Sequence, residues 1–212
     1  MDKGSEKQNF LKETGLSKRV FDIAASFLGL IILSPLLLIT AVLIRIRMNK
    51  PVLFRHVRIG KNGRPFILYK FRTMTLNHSG SSISLKGESR ITSLGAQLRK
   101  FKIDELPELW NVIKGDMSLV GPRPDVVEYM SNLEGEELRI LELRPGITSP
   151  ASIKYADEEE LVASAPDPHR YYNEVIWPDK VKINLEYVKT RSFSGDLLII
   201  FKTLFVKPGK NA

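Results

Sequence analysis

The 212-residue sequence has no cysteine, which excludes a disulfide framework, a thiol nucleophile and any cysteine-ligated metal. Histidine is almost as scarce: His56, His78 and His169 are the only three, and their spacing fits no ligand set. A metal used by this chain would therefore be oxygen-ligated. Acidic side chains are missing between Ile23 and Gly87, and charge of either sign is missing from Ile23 to Ile44. What is present is 43% hydrophobic and 26% charged. That is enough apolar material for a packed core and too much charge for a protein of many membrane spans. Lys+Arg 32 against Asp+Glu 24 leaves a net charge of +8, which points to a polyanionic partner: phosphate esters, anionic lipid or nucleic acid. The sign does not choose among them.

The uncharged stretch Ile23–Ile44 has only Ser26, Ser34 and Thr40 as polar residues, and about 20 apolar residues suffice to cross a bilayer as a helix. It exceeds the usual signal-peptide core and follows a polar leader, so a retained membrane segment is expected. Two features bear on its path. Ser34-Pro35 interrupts it midway, and Lys18 and Arg19 before it and Arg45, Arg47 and Lys50 after it make both flanks positive. A helix-break-helix entering and leaving on one leaflet satisfies both, each half reaching roughly 16 Å, about the bilayer midplane. A kinked spanning helix remains the alternative.

Ten cations lie between Arg45 and Lys86 with no acid among them. Those nearest the membrane segment suit acidic headgroups. Beyond them Val52–Ile59 and Pro65–Phe71 flank Gly60-Lys61-Asn62-Gly63, a hairpin signal that puts Lys70 and Arg72 on one face of the second strand, where they could grip one phosphate. Gly80–Glu88 reads as a mobile loop and Thr92–Lys102 as a helix with Leu94, Leu98 and Phe101 inward and Arg99 at the border of that stripe. Asp104-Glu105-Leu106-Pro107-Glu108 reads as the start of a helix that Gly115 ends, with Asp104 as its N-cap. An ordinary cap accounts for the two carboxylates. The alternative is chemistry, because a helix N-terminus attracts phosphate and keeps a carboxylate ionised for attack on phosphorus or for a divalent metal. Gly121-Pro122-Arg123-Pro124 presents Arg123 from a stiffened backbone, and Arg144-Pro145-Gly146 repeats an Arg beside a turn. Asp157–Glu160 reads as a solvated helix start, Asp196–Val206 as a helix on the membrane interface or closing the core, and Trp110 and Trp177 as packing or interfacial anchors.

Taken in order, Lys18-Arg19-Val20-Phe21-Asp22, Ser34-Pro35, Lys70-Phe71-Arg72-Thr73-Met74, Leu98-Arg99-Lys100, Asp104-Glu105-Leu106-Pro107-Glu108-Leu109, Gly115–Pro124 and Arg144-Pro145-Gly146-Ile147-Thr148 resemble the bacterial sugar transferases, the monotopic phosphoglycosyl transferases. One tetrapeptide would be weak; their joint occurrence from Lys18 to Phe205 is specific. The resemblance implies transfer of a sugar 1-phosphate from a nucleoside diphosphate sugar, usually a UDP-sugar, to a polyprenyl phosphate such as undecaprenyl phosphate, with release of UMP. It implies Asp104 as nucleophile through a covalent phosphosugar intermediate, Glu105 tied to a required Mg²⁺, and Asp104 and Glu105 as the metal's residues. Lys70, Arg72, Arg99, Arg123 and Arg144 are then the expected phosphate-neutralising groups. Ser149–Tyr155 departs from the family's usual Gly and aromatic after Arg-Pro-Gly-Ile-Thr, which leaves the donor sugar open.

The expected fold is α+β: a re-entrant membrane helix hairpin followed by a mostly helical cytoplasmic core with a small β-hairpin and interfacial amphipathic helices. The boundaries read as a polar leader over 1–17, the membrane helix over 18–48, the catalytic domain over 49–206 and a tail over 207–212, the family's minimal catalytic-core form. The expected place is the cytoplasmic face of the bacterial inner membrane, in contact with lipid. Downstream glycosyltransferases are further candidate partners, and nucleic acid is not expected because the basic stretch lacks aromatic interleaving. A membrane-anchored polyanion-binding module and a Mg²⁺-dependent phosphoester hydrolase are the competing functions.

Overall fold

A computed structural model describes residues 3–75 and 90–205; the expected loop Gly80–Glu88 and the tail lie outside the described residues. The first helix, α1 (Lys3–Met48), joins most of the expected leader to the membrane segment without interruption. The break expected at Ser34-Pro35 is absent from it for a local reason. Pro35 has no N–H for the Ile31 carbonyl, and Ser34 Oγ donates to that oxygen at 2.7 Å instead. Gly15–Met48 is long and apolar enough to cross a membrane. Most of its apolar side chains, Phe27, Ile31, Ile32, Leu38 and Ile39 among them, are exposed, and burial is confined to a narrow stripe through Asp22, Ser26, Thr40 and Ile44.

Both ends of that stripe are fastened to the same core. At the N-terminal end Arg19 donates to the carbonyls of Val112 (2.8 Å) and Ile113 (3.1 Å), Ser118 Oγ donates to Asp22 at 2.7 Å, and Lys18 pairs with Asp196. At the C-terminal end Ile44 packs with Phe71 and Leu98.

Strands β1 (Leu53–Ile59) and β2 (Pro65–Phe71) form the expected antiparallel hairpin, Leu53 opposite Phe71 and Ile59 opposite Pro65. Asn62 (φ 58°) and Gly63 (φ 72°) take the left-handed conformation that such a turn requires. Helix α2 (Ser93–Lys100) follows Thr92, whose hydroxyl accepts from Gly95 N at 3.0 Å. It is shorter than the periodicity suggested. After it come α3 (Glu108–Lys114) and β3 (Ser118–Val120), which pairs in parallel with β4 (Gly146–Thr148). This parallel pair was not expected, since three-residue strands carry no readable period. The strands meet where Gly146 approaches Gly121: a Cβ on Gly146 would lie 2.1 Å from Gly121 N. Between them lie α4 (Val127–Met130) and a 3₁₀ segment over Gly135–Glu142.

Five helices and a π turn complete the described residues. These are α5 (Pro150–Lys154), α6 (Glu158–Ser164), α7 (Pro168–Tyr171), the π turn over Tyr172–Ile176 with α8 (Trp177–Thr190) directly after it, and α9 (Phe193–Phe205). Helix α9 turns Thr203 inward to Thr148 (2.7 Å) and leaves Leu197, Leu198, Phe201, Leu204 and Phe205 exposed. The fold is mixed α/β, mostly helical, with one apolar N-terminal helix of membrane-spanning length.

Candidate active site

Asp104 and Glu105 lie in a 3₁₀ turn over Ile103–Glu105, entered through Lys102 at φ 55°. The expected N-cap is therefore corrected: α3 begins three residues after Glu105 behind Pro107, and Asp104 makes no side-chain cap bond. A β-region cap cannot form where Pro107 and Leu106 already take right-handed helical torsions. Asp104 is released from a structural duty. It is 8% exposed, and its Oδ1 is buried with no hydrogen-bond partner. An unpaired buried carboxylate oxygen is costly, so this one marks a place for a ligand. Burial pushes the Asp104 carboxyl up, neighbouring Glu105 adds to the rise, and Lys70, Arg99 and Lys102 oppose it.

Glu105 has the opposite setting. Its Oε1 accepts from Lys70 Nζ at 2.7 Å and from Arg123 at 2.8 Å. Burial works to raise it, yet Arg123 and Lys70 outweigh that and hold it well below the usual carboxylate range. Glu108, which the sequence reading left out of the site, completes the group: it is 3% exposed and its Oε1 lies 3.1 Å from Lys70 Nζ. Burial pushes it up to about 7, against the pull of Lys70. Two neighbouring acids thus share one ammonium while their surroundings push their pKa values in opposite directions. Arg58, on β1, is one of the cations of the basic stretch. It is held near Asp125, Arg123 and Glu108, and its Nε is buried without a partner.

Of the seven expected site residues, Asp104, Glu105, Lys70 and Arg123 come together directly. Arg99 joins them from α2, with its charge acting on Asp104 and its guanidinium paired with Glu159. Arg72 and Arg144 do not. Arg72 is 3% exposed and donates to the carbonyls of Met48, Asn49 (2.9 Å) and Lys50 (3.3 Å), so it closes the end of α1 and does not share a phosphate with Lys70. Arg144 Nε donates to Gly115 O at 2.8 Å, at the far end of α3 from the two acids. The acidic run is likewise not simply solvated: Glu158 lies 3.0 Å from Lys180, and Glu159 holds Arg99. Trp177 packs on Tyr129 at 5.0 Å between ring centroids, whereas Trp110 is half exposed.

A family model described as bacterial sugar transferase matches residues 13–208. The chain is 38% identical over 187 residues to EpsL, an uncharacterized sugar transferase of Bacillus subtilis, covering 88% of this chain and 85% of EpsL. It is 37% identical over 192 residues to the UDP-N-acetylgalactosamine-undecaprenyl-phosphate N-acetylgalactosaminephosphotransferase of Aeromonas hydrophila, covering 88% of this chain and 42% of that protein. It is 36% identical over 195 residues to the UDP-glucose:undecaprenyl-phosphate glucose-1-phosphate transferase of Klebsiella pneumoniae, covering 89% of this chain and 39% of that protein. The chain thus spans about two fifths of the latter two relatives and most of the first. A match over residues 13–208, nearly the whole sequence and including the Asp104 cluster, makes this chain a member of the bacterial sugar transferase family.

Proposed function

We propose that the chain moves a sugar 1-phosphate from a UDP-sugar to undecaprenyl phosphate and releases UMP, in two steps with Asp104 as nucleophile. The observation that carries this reading is the buried Asp104 Oδ1 left without a partner beside a Glu105 that two cations keep ionised. In the first step an Asp104 oxygen forms a bond to the sugar-bearing phosphorus. The bond from that phosphorus to the bridging oxygen breaks, and UMP leaves with the electron pair. In the second step an oxygen of undecaprenyl phosphate attacks the same phosphorus, the aspartyl bond breaks, and the Asp104 carboxylate returns. Both steps bring anions together, and Lys70, Arg123, Arg99 and Arg58 are the groups near enough to offset that charge. Burial makes Asp104 more basic and so a stronger nucleophile once ionised.

Mg²⁺ fits this donor set. The ion keeps several waters and needs only one or two carboxylates beside substrate phosphates, and Asp104 with Glu105 would hold it. It would supply charge neutralisation on the diphosphate.

The two relatives named for their reactions differ in donor, so the sugar is left to a panel. The test is UMP release from protein in nanodiscs with Mg²⁺, undecaprenyl phosphate and a series of UDP-sugars. Lipid-dependent release with one donor, lost in Asp104→Asn at unchanged Tm, is the expected result. A folded Asp104→Asn protein with full turnover would sink the assignment. Sugar phosphate released without acceptor would mean hydrolysis.

For the membrane, we infer that α1 bends at Ser34-Pro35 while staying helical, and so enters and leaves on the cytoplasmic leaflet of the bacterial inner membrane. This is supported by the attachment of Arg19 and Asp22 at one end and Ile44 at the other to one core, and by positive charge on both flanks. Exposed Ser34, Pro35 and Leu36 would lie deepest, and the outer face of α9 would rest in the interface.

A further inference from the structure

Behind the cluster lies a cation that phosphate transfer as described does not use. Lys180, in the first turn of α8, is 2% exposed. Its Nζ lies 3.0 Å from Glu158 Oε2, 3.9 Å from Asp125 Oδ2 and 3.4 Å from the Tyr172 hydroxyl, and sits over the Tyr172 ring at 5.4 Å. A fully buried lysine is rare unless paired, and this one is paired across three separate segments. The two acids that it joins are placed alike. Asp125 follows Arg123 by two residues, with Pro124 stiffening the link, and Arg123 holds Glu105. Glu158 precedes Glu159, and Glu159 holds Arg99, whose charge acts on Asp104. One segment thus carries Arg123 and the other holds Arg99 of α2 through Glu159, and both are tied to one ammonium.

The local backbone is shaped for this contact. The π turn Tyr172–Ile176 widens the helix just before α8, and such turns are frequent at functional sites. One extra residue in the turn rotates α8 relative to α7 and brings Lys180 back over Tyr172, a contact that eight residues of regular α-helix would set to one side.

We propose that Lys180 is a positioning residue for sugar-phosphate transfer: by joining Asp125 to Glu158 it sets the spacing of Arg123 and Arg99 about Asp104 and Glu105. The inference rests on the transfer reading above. Lys180 touches no reacting group, so its removal acts on the geometry of the transition state more than on capture of the donor, and a misplacement of about 1 Å costs roughly 100-fold in rate.

The experiment compares wild type, Lys180→Met and the triple variant Lys180→Met/Glu158→Gln/Asp125→Asn in nanodiscs. Steady-state UMP release is read against donor concentration, and Tm alongside. The single variant leaves two partly buried carboxylates without their shared cation and can fail to fold; the triple variant removes the charge imbalance and keeps the shape. The expected result is a triple variant with Tm near wild type, kcat down by about 10- to 100-fold and donor KM within about threefold. A folded triple variant with wild-type kcat would overturn the proposal, and so would a rise in KM at unchanged kcat. Wild type inactive with every donor would refute the transfer reading itself.

Discussion

Glu105 and Glu108 sit on either side of the same Lys70 ammonium, 2.7 and 3.1 Å from it, yet respond to pH in opposite senses. Glu105 is held below its ordinary value, so its share of stability is full above about pH 4.5 and is lost as pH falls further. Glu108 is raised from 4.5 to about 7 and therefore binds its proton more tightly folded than unfolded. Its share is full below about pH 4.5 and is lost as pH rises to about 7. A series of Tm values between pH 5 and 7.5 should slope downward for wild type and more gently for Glu108→Gln; equal slopes would show that another group titrates there. Glu108 illustrates what the sequence hides at this scale. Asp104, Glu105, Lys70 and Arg123 were singled out by the resemblance to the sugar transferases, since their charges and neighbours alone allowed an ordinary cap and solvated cations. Arg72 and Arg144 carry the same signature and spend it on backbone carbonyls, which only three-dimensional placement distinguishes.

At the scale of elements, the hairpin was readable to within a residue, since β1 and β2 alternate around an Asn-Gly turn. The parallel pair of β3 and β4 was not, and it is what carries the Arg123 loop: Gly121 N donates to Thr148 O at 3.0 Å, and Gly146 N donates to Pro122 O at 2.9 Å. Gly146→Ala would force its methyl group against Gly121 backbone atoms at 2.1 and 2.5 Å. The expected cost is about 3 kcal/mol, the upper end for overpacking, or a fall in Tm of roughly 6–12 °C for a chain of this size. Differential scanning fluorimetry checks it, and a shift under about 2 °C would mean that the two strands separate freely. The helix through Pro35 shows why a proline need not interrupt a helix. The rule that proline breaks a helix assumes an orphaned carbonyl, and here the adjacent Ser34 hydroxyl takes it.

For the molecule as a whole, the long apolar helix and the mostly helical core after it were expected from the uncharged run and from the pattern that follows. The attachment of both ends of α1 to that core was beyond reach, because it depends on pairs far apart in sequence such as Arg19 with Val112. The absence of cysteine makes the topology easy to test. Single cysteines placed at Ser5 and Gly60 should react with a membrane-impermeant maleimide only when cells are opened. Labelling of position 5 in intact spheroplasts would overturn the one-leaflet path.

The Lys18–Asp196 pair also orders events in time. Its partners are 178 residues apart, and synthesis at about 5–20 residues per second separates their emergence from the ribosome by roughly 10–40 s. Throughout that interval the apolar helix has been made and α9, which carries Asp196, has not. The segments that hold Ile44, Arg19 and Asp22 emerge earlier, so the pair with Asp196 closes on a helix already able to seat against Phe71, Val112 and Ser118.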